Sequence, residues 1–420
     1  MKPLRRLGAL ILLARIAPAY GAVEAPKLSF GGQIRARAES TSIQSYASAG
    51  TRRAQDLYLL RSRLQVAIDY PPQKVKGFLQ LQDSRTAGSE ASVASNEKNV
   101  DLHQGYLDAL ELFGMPLDLR AGRWEMSYGD QRLISPLDWS NVARAWDGLR
   151  LKWRGEDWWS DAFATNVKEV SRVQSDSHFW GLYGHAKRLG GHELEAYLLG
   201  RDNGDNSYLS EAGTLGNLSD RTLGSRVKGR HGGLDYTAEG AWQFGRKAGQ
   251  RVRAWATAAT AGYTFDSAWT PRAGLEHTFG SGDSRPDDNK VGAFDPLFTF
   301  GHYYYGYQDV FNWRNGQDLA LRLQADPAPP WRLLADLHRF WLHEKSDAWY
   351  DAAGAQITRD ASARSGRDIG TELDLHVRGK FREVIDLWFG YSRFFAGAFV
   401  RKATGRGDRD WAFFQATFNF

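Results

Sequence analysis

The sequence predicts an all-β protein, a transmembrane antiparallel up-and-down β-barrel of about 18 strands with short periplasmic turns and long extracellular loops. Three observations predict this fold. Apolar and polar residues alternate at period two in segments of about ten residues, the length that a tilted strand needs to cross a bilayer. Short and long polar connections separate these segments. Aromatic residues make up 13% of the chain, which suits rings of aromatic side chains at the two membrane interfaces.

The N-terminus indicates a secretory signal peptide over residues 1–22. Cations open the chain, an apolar run follows over residues 7–13, and small residues extend to Ala25. We expect cleavage between residues 19 and 25, and a single barrel domain over residues 26–420. A membrane anchor is the alternative, but the apolar run is too short to span a bilayer and Arg15 interrupts it.

Composition narrows the possible functions. Removing the signal peptide takes four cations from the formal net charge of +5 and leaves the mature chain near +1, so the high pI does not predict a nucleic-acid-binding protein. The chain has no cysteine, which excludes disulfides, thiol nucleophiles and zinc–thiolate sites. No phosphate-binding loop is visible and no cofactor is expected. A soluble carbohydrate-binding β-protein is the alternative explanation of the aromatic content.

The period-two pattern recurs along the whole mature chain. It is clear over residues 58–70, 234–244, 318–326 and 369–378. In the C-terminal segment, residues 411–420, one face is wholly apolar and ends at Phe420. A terminal phenylalanine resembles the assembly signal of bacterial outer-membrane proteins. Residues 254–261 are rich in Ala and Thr and have helical propensity, but we predict a strand because large and small apolar residues share one face.

Connections of two sizes separate the predicted strands, as in a membrane barrel. We predict periplasmic turns at residues 70–74, 189–192, 230–233 and 326–330. We predict long extracellular loops at residues 39–56, 85–101, 201–220, 280–315 and 344–368. The tyrosine-rich stretch over residues 301–307 lies in one of these loops. It suits either an inward plug or sugar platform, or an aromatic cluster at the outer rim.

Many cations lie on the polar face of the predicted strands. An arginine facing lipid near the midplane costs roughly 2–4 kcal/mol, so we expect these side chains to face a hydrated lumen, where rings of such groups select anions. The alternative is that nearby carboxylates neutralise them and stiffen the wall. The cations on this face are Arg35, Arg37, Arg61, Arg63, Arg120, Arg150, Lys152, Arg154, Arg226, Lys228, Arg230, Arg253, Arg322 and Arg378. The predicted carboxylate partners are Asp69, Asp118, Asp147, Glu372 and Asp374.

Three blocks of sequence resemble the alginate export family of outer-membrane barrels. They lie at residues 121–151, which include Gly-Asp-Gln-Arg and Asp-Gly motifs, and at residues 294–315 and 338–354. The resemblance implies a monomeric barrel of about 18 strands that passes an anionic uronic-acid polysaccharide outward through an arginine-lined channel. It also makes Arg123, Arg132, Arg144, Asp147 and Arg150 the best channel or gate candidates.

These arguments together predict a non-enzymatic channel in the bacterial outer membrane. We expect facilitated diffusion of an alginate-like anionic polysaccharide or oligosaccharide, with export as the direction. The expected partners are outer-membrane lipid, the barrel assembly machinery and periplasmic export proteins, and no nucleic acid. Both lines of argument give the candidate channel residues Arg37, Arg61, Arg63, Arg120, Arg123, Arg132, Arg144, Arg150, Lys152, Arg226, Lys228, Arg322 and Arg378.

Two other functions stay open. One is a porin for small anionic metabolites. The other is a barrel-borne hydrolase that uses Asp336, His338 and His343, although the sequence has neither a Gly-x-Ser-x-Gly elbow nor a His-Glu-x-x-His pair.

Overall fold

The computed structural model describes residues 25–43, 45–46, 54–88, 96–168, 177–210, 212–285 and 287–420, without the side chains of residues 188 and 189. The predicted signal peptide lies outside the described residues and stays a prediction.

Across these described ranges, eighteen antiparallel strands close into a barrel, which confirms the predicted fold. Three further short strands, β14, β17 and β18, belong to the connections between wall strands. The strands are β1 Lys27–Thr41, β2 Gln55–Tyr70, β3 Val75–Gly88, β4 Lys98–Ala109, β5 Leu117–Trp124, β6 Ala145–Arg154, β7 Trp158–Lys168, β8 Ser177–Leu189, β9 His192–Leu209, β10 Leu215–His231, β11 Leu234–Lys247, β12 Gln250–Thr264, β13 Arg272–Gly280, β14 Lys290–Val291, β15 Gly316–Ala328, β16 Trp331–Leu342, β17 Ala348–Tyr350, β18 Gln356–Arg359, β19 Asp368–Phe381, β20 Ile385–Ala396 and β21 Arg409–Asn419.

The helices are short. The described residues include two α-helical turns, α1 Gly301–Tyr304 and α2 Ala398–Thr404, and two 3-10 turns, Pro71–Gln73 and Leu112–Gly114. In the described part of the chain, no helix is long and apolar enough to cross a membrane.

The first and last strands join to close the barrel. β1 pairs antiparallel with β21 from Gln33 opposite Asn419 to Thr41 opposite Trp411. Beyond β21, the Gly32 N–H donates to the Phe420 carbonyl at 2.8 Å and the Phe420 N–H donates to the Gly32 carbonyl at 3.1 Å. A Cβ on Gly32 would lie 2.4 Å from the Phe420 ring. The seam therefore needs glycine at this position.

Side chains alternate between the lumen and the membrane. In β2, Arg61 and Arg63 are 0% and 7% exposed, whereas Leu60 and Leu64 are 43% and 60% exposed. The apolar residues thus cover the outer surface and the arginines point inward, as a membrane barrel requires. The Ala/Thr-rich segment is part of a strand, β12, as predicted.

The connections mostly follow the predicted order. Short turns join β2 to β3, β8 to β9, β10 to β11 and β15 to β16. The prediction of a long loop over residues 201–220 is wrong, because β9 and β10 continue through it and leave only residues 210–214 between them. Cross-strand pairs hold this extension, including Arg201 with Asp220 at 2.5 Å and Arg221 with Asp202 at 3.1 Å. Polar residues that suggest a loop here instead pair with each other along the two strands.

The candidate lumen site

A connection between β5 and β6 folds into the barrel and lies against its inner wall. We call residues 125–144 the inner loop. Arg35 and Arg61 donate to the carbonyl of Asp138 at 2.6 and 3.0 Å. The Ser84 hydroxyl donates to the Asn141 carbonyl at 2.8 Å. The wall therefore supplies side-chain donors for backbone carbonyls that have no strand partner.

The carboxylate of Asp138 lies among three wall arginines. Its oxygens are 2.9 Å from Arg61, 3.2 Å from Arg63 and 4.0 Å from Arg35. The arginine side chains are at most 8% exposed, but the Asp138 side chain is 56% exposed. Burial raises the pKa of Asp138, but the arginines outweigh it and hold this pKa below its ordinary value. These arginines thus anchor the inner loop, while the carboxylate remains accessible.

Arg37 binds Trp139, the residue of the inner loop that follows Asp138. Its guanidinium lies 3.8 Å from the Trp139 ring, donates to the Trp139 carbonyl at 2.8 Å and pairs with Glu39 at 2.7 Å. Trp139 in turn stacks on His302 with ring centroids 4.1 Å apart. His302 belongs to a second inward connection, and the stack joins the two.

The second inward connection runs from β13 to β15, over residues 281–315, and we call it the second inner segment. It pairs with the inner loop through backbone hydrogen bonds between Ser135 and Phe298 and between Phe298 and Leu133, each 2.9 Å long. Arg144 donates to the carbonyls of Ser135 and Phe298 at 3.0 and 2.9 Å. This arginine from the predicted gate set therefore clamps both segments together.

A chain of ion pairs holds α1 within the second inner segment. Arg132 pairs with Glu276 at 3.0 Å and lies 3.9 Å from the Tyr304 ring. Arg322 contacts the other oxygen of Glu276 at 3.3 Å and pairs with Asp336 at 2.8 Å. It also donates to the Tyr304 carbonyl at 3.0 Å. Arg132 and Arg322 thus both contact and position this helix.

The tyrosine-rich stretch folds inward and not at the outer rim. Tyr305 and Tyr307 are 0% and 3% exposed. The Tyr307 ring lies 4.1 Å from the His376 ring of β19. Of the two alternatives for residues 301–307, the structure therefore has the inward one.

The wall at β5 and β6 carries a different kind of cation cluster. Arg120 makes two hydrogen bonds to Asp108, at 2.7 and 2.8 Å. Arg150 and Lys152 share one carboxylate, Asp161, at 3.9 and 3.8 Å. Both distances exceed a hydrogen bond. The Arg150 and Lys152 side chains are 18% and 27% exposed. Two partly exposed cations therefore share one buried carboxylate, which also accepts a hydrogen bond from the Tyr128 hydroxyl at 2.7 Å.

The remaining predicted cations have varied surroundings. Arg226 contacts Asp130 of the inner loop and pairs with Glu195 at 3.0 Å. Lys228 is exposed. Arg378 pairs with Asp386 at 2.6 Å.

The predicted carboxylate partners differ from the expectation in several places. Asp118 pairs with Arg154 at 2.9 Å, whereas Asp69 lies opposite Lys27 and Lys76 in the strand register. Glu372 accepts the Gln308 N–H at 2.9 Å, and Asp374 lies 3.9 Å from His338. In the described residues, neither Glu372 nor Asp374 makes an ion pair with an arginine. Glu372 therefore holds the second inner segment, whereas Asp374 stays within the wall, where it also accepts a hydrogen bond from the Ser392 hydroxyl of β20.

Three predicted lumen residues lie on the other face of the wall. Arg123 and Asp147 are directly opposite each other in β5 and β6 and share the face of Leu149, which is 54% exposed. They form an ion pair at 2.6 Å on the outer surface. Arg253 is exposed between the buried Val252 and Ala254 and also points outward. The lumenal placement of these three residues is wrong because each lies one residue out of the inward register.

A cavity of about 770 Å³ remains between the two inward connections and the wall near the long-loop end. Arg37 and Arg144 line it, together with Arg201, Arg314, Asp295 and Asp309. The sequence argument did not identify Asp138, Arg201, Arg314 or Asp295. Asp138 lies within the first resemblance block, and Asp295 and Arg314 lie within the second, so the resemblance was the available signal for these three residues. No group of three or more metal-binding side chains is arranged to hold an ion among the residues that the structure covers.

Comparison with solved structures finds the same fold in outer-membrane porins. OccAB2 of Acinetobacter baumannii is 10% identical, with a TM-score of 0.63 and coverage of 94% of this chain and 98% of that chain. OccK5 (OpdH) of Pseudomonas aeruginosa is 11% identical, with a TM-score of 0.61 and coverage of 94% and 98%. OccK2 (OpdF) of Pseudomonas aeruginosa in complex with glucuronate is 11% identical, with a TM-score of 0.59 and coverage of 94% and 96%. At these identities the likeness shows the fold.

Sequence comparison gives the family. No curated protein sequence matches the chain. The alginate export family matches residues 26–413, nearly the whole mature chain. With the closed barrel, this match identifies an integral outer-membrane channel. The chain belongs to the alginate export family.

Proposed function

We propose that this channel passes an alginate-like anionic polysaccharide or oligosaccharide by facilitated diffusion, with export as its direction. The observation that carries the proposal is the pair of lumenal cations on β6. Arg150 and Lys152 share the single carboxylate of Asp161 at 3.9 and 3.8 Å. Arg35, Arg61 and Arg63 are buried against the inner loop and are less available to a solute.

Surplus positive charge lowers the barrier for a carboxylate entering a narrow, partly desolvated passage. The Arg150 guanidinium offers two parallel donors to a carboxylate, and Lys152 offers a compact charge beside it. Asp161 reduces the attraction of both cations for a solute, but one carboxylate does not neutralise two positive charges. Weak binding suits a channel, because a tightly bound solute would not leave.

Two comparisons support the substrate class. The family is described by alginate export. One porin of the same fold was solved with glucuronate, a uronate with one carboxylate. Both point to sugars that carry carboxylates, the groups that Arg150 and Lys152 fit.

Arg150→Glu tests the proposal against the matched variant Arg230→Glu. Each replacement reverses one inward charge, but Arg230 lies beside the short turn after β10. We expect Arg150→Glu to shift the reversal potential in a salt gradient towards cations, and Arg230→Glu to shift it much less. Planar-bilayer recordings under a KCl gradient measure this. Equal shifts would reject Arg150 as part of the constriction.

A porin for small anionic metabolites is the second candidate, and one observation favours it. The inner loop and the second inner segment fill much of the lumen and leave a cavity of about 770 Å³ between them. Such a space suits a single sugar better than an extended chain. The hydrolase has less support, because His338 is completely buried against Asp318 at 2.8 Å and the matched family and structures are channels.

Chain length separates the two transport functions. A polysaccharide channel predicts that current block strengthens from uronate monomers to oligomers, because several residues then bind at once. A metabolite porin predicts equal or stronger effects from the monomer.

A further inference from the structure

Three arginines on the outer surface of β11 and β12 differ from the other outward-facing arginines. Arg246 and Arg251 lie directly opposite each other in the strand register, and Arg253 follows on the same face as Arg251. All three are exposed. Arg246 donates to the Gly249 carbonyl at 3.0 Å. Within the described ranges, none of the three has a carboxylate partner.

Outward-facing arginines elsewhere near the long-loop end do have such partners. They form the pairs Arg85–Asp83 at 2.7 Å, Arg123–Asp147 at 2.6 Å, Arg221–Asp202 at 3.1 Å, Arg339–Asp368 at 2.8 Å and Arg393–Asp410 at 3.0 Å. Like charges directly opposite each other destabilise a strand pair. The unpaired arginine triad, Arg246, Arg251 and Arg253, therefore calls for an anion from outside the chain.

The position of the triad matches the level of lipid headgroups. Trp242 and Trp255 lie opposite each other on the same outer face and are 48% and 47% exposed. Exposed tryptophans of this kind lie at the membrane interface. The triad follows them towards the long-loop, extracellular end. It thus lies where the charged groups of outer-leaflet lipids are found.

An outer groove begins next to the two tryptophans, on the side away from the arginine triad. It has a volume of about 770 Å³ and crosses the outer surface from β7 to β12. Gly240 lines this groove and shares the outer face with Trp242, two residues along β11. A Cβ added to Gly240 would meet nothing within 4 Å. The groove is largely apolar and opens on the membrane-facing surface. Other small residues that line it include Gly184, Ala196, Ser225, Ala238 and Ala259.

We propose that the triad, the tryptophan pair and the outer groove bind one phosphorylated, acylated glycolipid of the outer leaflet. The guanidinium groups bind phosphate, for which their forked donors are suited, and the groove takes an acyl chain. Charge favours this occupant over a second copy of the chain, because a two-fold contact would bring two arginine triads together. The proposal is independent of the transported solute.

Lipid binding to the purified, delipidated full-length channel tests the proposal. The probe is diphosphoryl lipid A, and native mass spectrometry or a direct titration measures its affinity. We expect the triple variant Arg246→Gln, Arg251→Gln and Arg253→Gln to lower the affinity at least about tenfold, since each cation near a lipid surface contributes to binding. The matched triple variant Arg85→Gln, Arg339→Gln and Arg393→Gln removes three acid-paired outward arginines and is expected to bind like the wild type.

A second variant tests the groove without changing charge. Gly240→Leu fills open space and is expected to weaken lipid A binding while the barrel still forms, as judged by its heat-modifiable gel mobility. With the wild type, removing both phosphates from the probe is expected to weaken binding as strongly as the triad variant does. Unchanged binding in the triad variant, equal loss in the matched variant, phosphate-independent binding, or dimerisation through this face would each overturn the proposal.

Discussion

At the scale of single residues, Asp138 determines how the inner loop is held. Its carboxylate faces Arg35, Arg61 and Arg63, all of which are buried. Removing its charge leaves a cation cluster with Glu125 as the nearest remaining acid, 3.1 Å from Arg63. The arginines still donate to the loop carbonyls, so the loop loosens and is not expected to detach.

We predict that Asp138→Asn weakens this anchoring by about 1–3 kcal/mol, a range that allows for the exposure of the carboxylate. Bilayer recordings at neutral pH would show the loosening as added noise in the open-channel current. The control is Asp101→Asn, which removes a carboxylate that pairs with Lys98 at 2.7 Å. An unchanged noise level in Asp138→Asn would contradict the anchoring role.

The lowered pKa of Asp138 predicts that the channel noise depends on pH. The pKa of Asp138 is lowered in the folded channel. The ionised carboxylate therefore anchors the inner loop fully above the ordinary carboxyl range, and this anchoring is lost as the pH falls through the lowered pKa. The wild type should therefore become noisy only below about pH 4. Asp138→Asn should already be noisy at pH 7 and lose this acid transition. Identical acid transitions in the two proteins would exclude Asp138 as the titrating group.

At the scale of elements, the closing seam depends on one glycine. A Cβ on Gly32 would lie 2.4 Å from the Phe420 ring, whereas one on Gly240 would meet no atom within 4 Å. We predict that Gly32→Val destabilises the barrel by about 1–3 kcal/mol through overpacking. Urea unfolding in lipid-free detergent, with Gly240→Val as the matched control, measures this. Equal stability of the two variants would mean that the ring moves aside freely.

Strand prediction from the sequence succeeded where one face met lipid and the other met polar groups. β2 and β21 show this clearly, with Leu60 and Phe414 outward and Arg61 and Gln415 inward. The alternation is poor over β7. There, Phe163 and Val167 face inward but are apolar because they pack against a core that includes the inner loop. Polarity alone cannot identify the inward face where the lumen is filled by protein.

At the scale of the whole molecule, two inward connections pack inside the barrel, and buried wall arginines such as Arg35 and Arg61 bind the inner loop. The sequence predicted the cations, but it could not predict their partners. Arg35 and Asp138 lie 103 residues apart in sequence, and their contact depends on the inner loop folding inward. Arg123 and Arg253 were misplaced because a one-residue error in register exchanges the two faces of a strand.

Shortening the inner loop tests this architecture. Replacing residues 128–142 by a short Gly/Ser linker should raise single-channel conductance severalfold, because these residues occupy the lumen. Shortening the connection between β9 and β10 should leave conductance nearly unchanged, since it joins two adjacent wall strands. Equal conductance of the two variants would show that the inner loop does not limit the current.

Block of the open-channel current by uronate oligomers is the most direct test of the central claim, which is selective passage of anionic saccharides. In one bilayer, the account predicts an anion-selective current that uronate oligomers block in part and that neutral oligosaccharides of equal length leave unchanged. Arg150→Glu should reduce both the selectivity and the block. A cation-selective current, or equal block by neutral and anionic oligomers, would contradict the account.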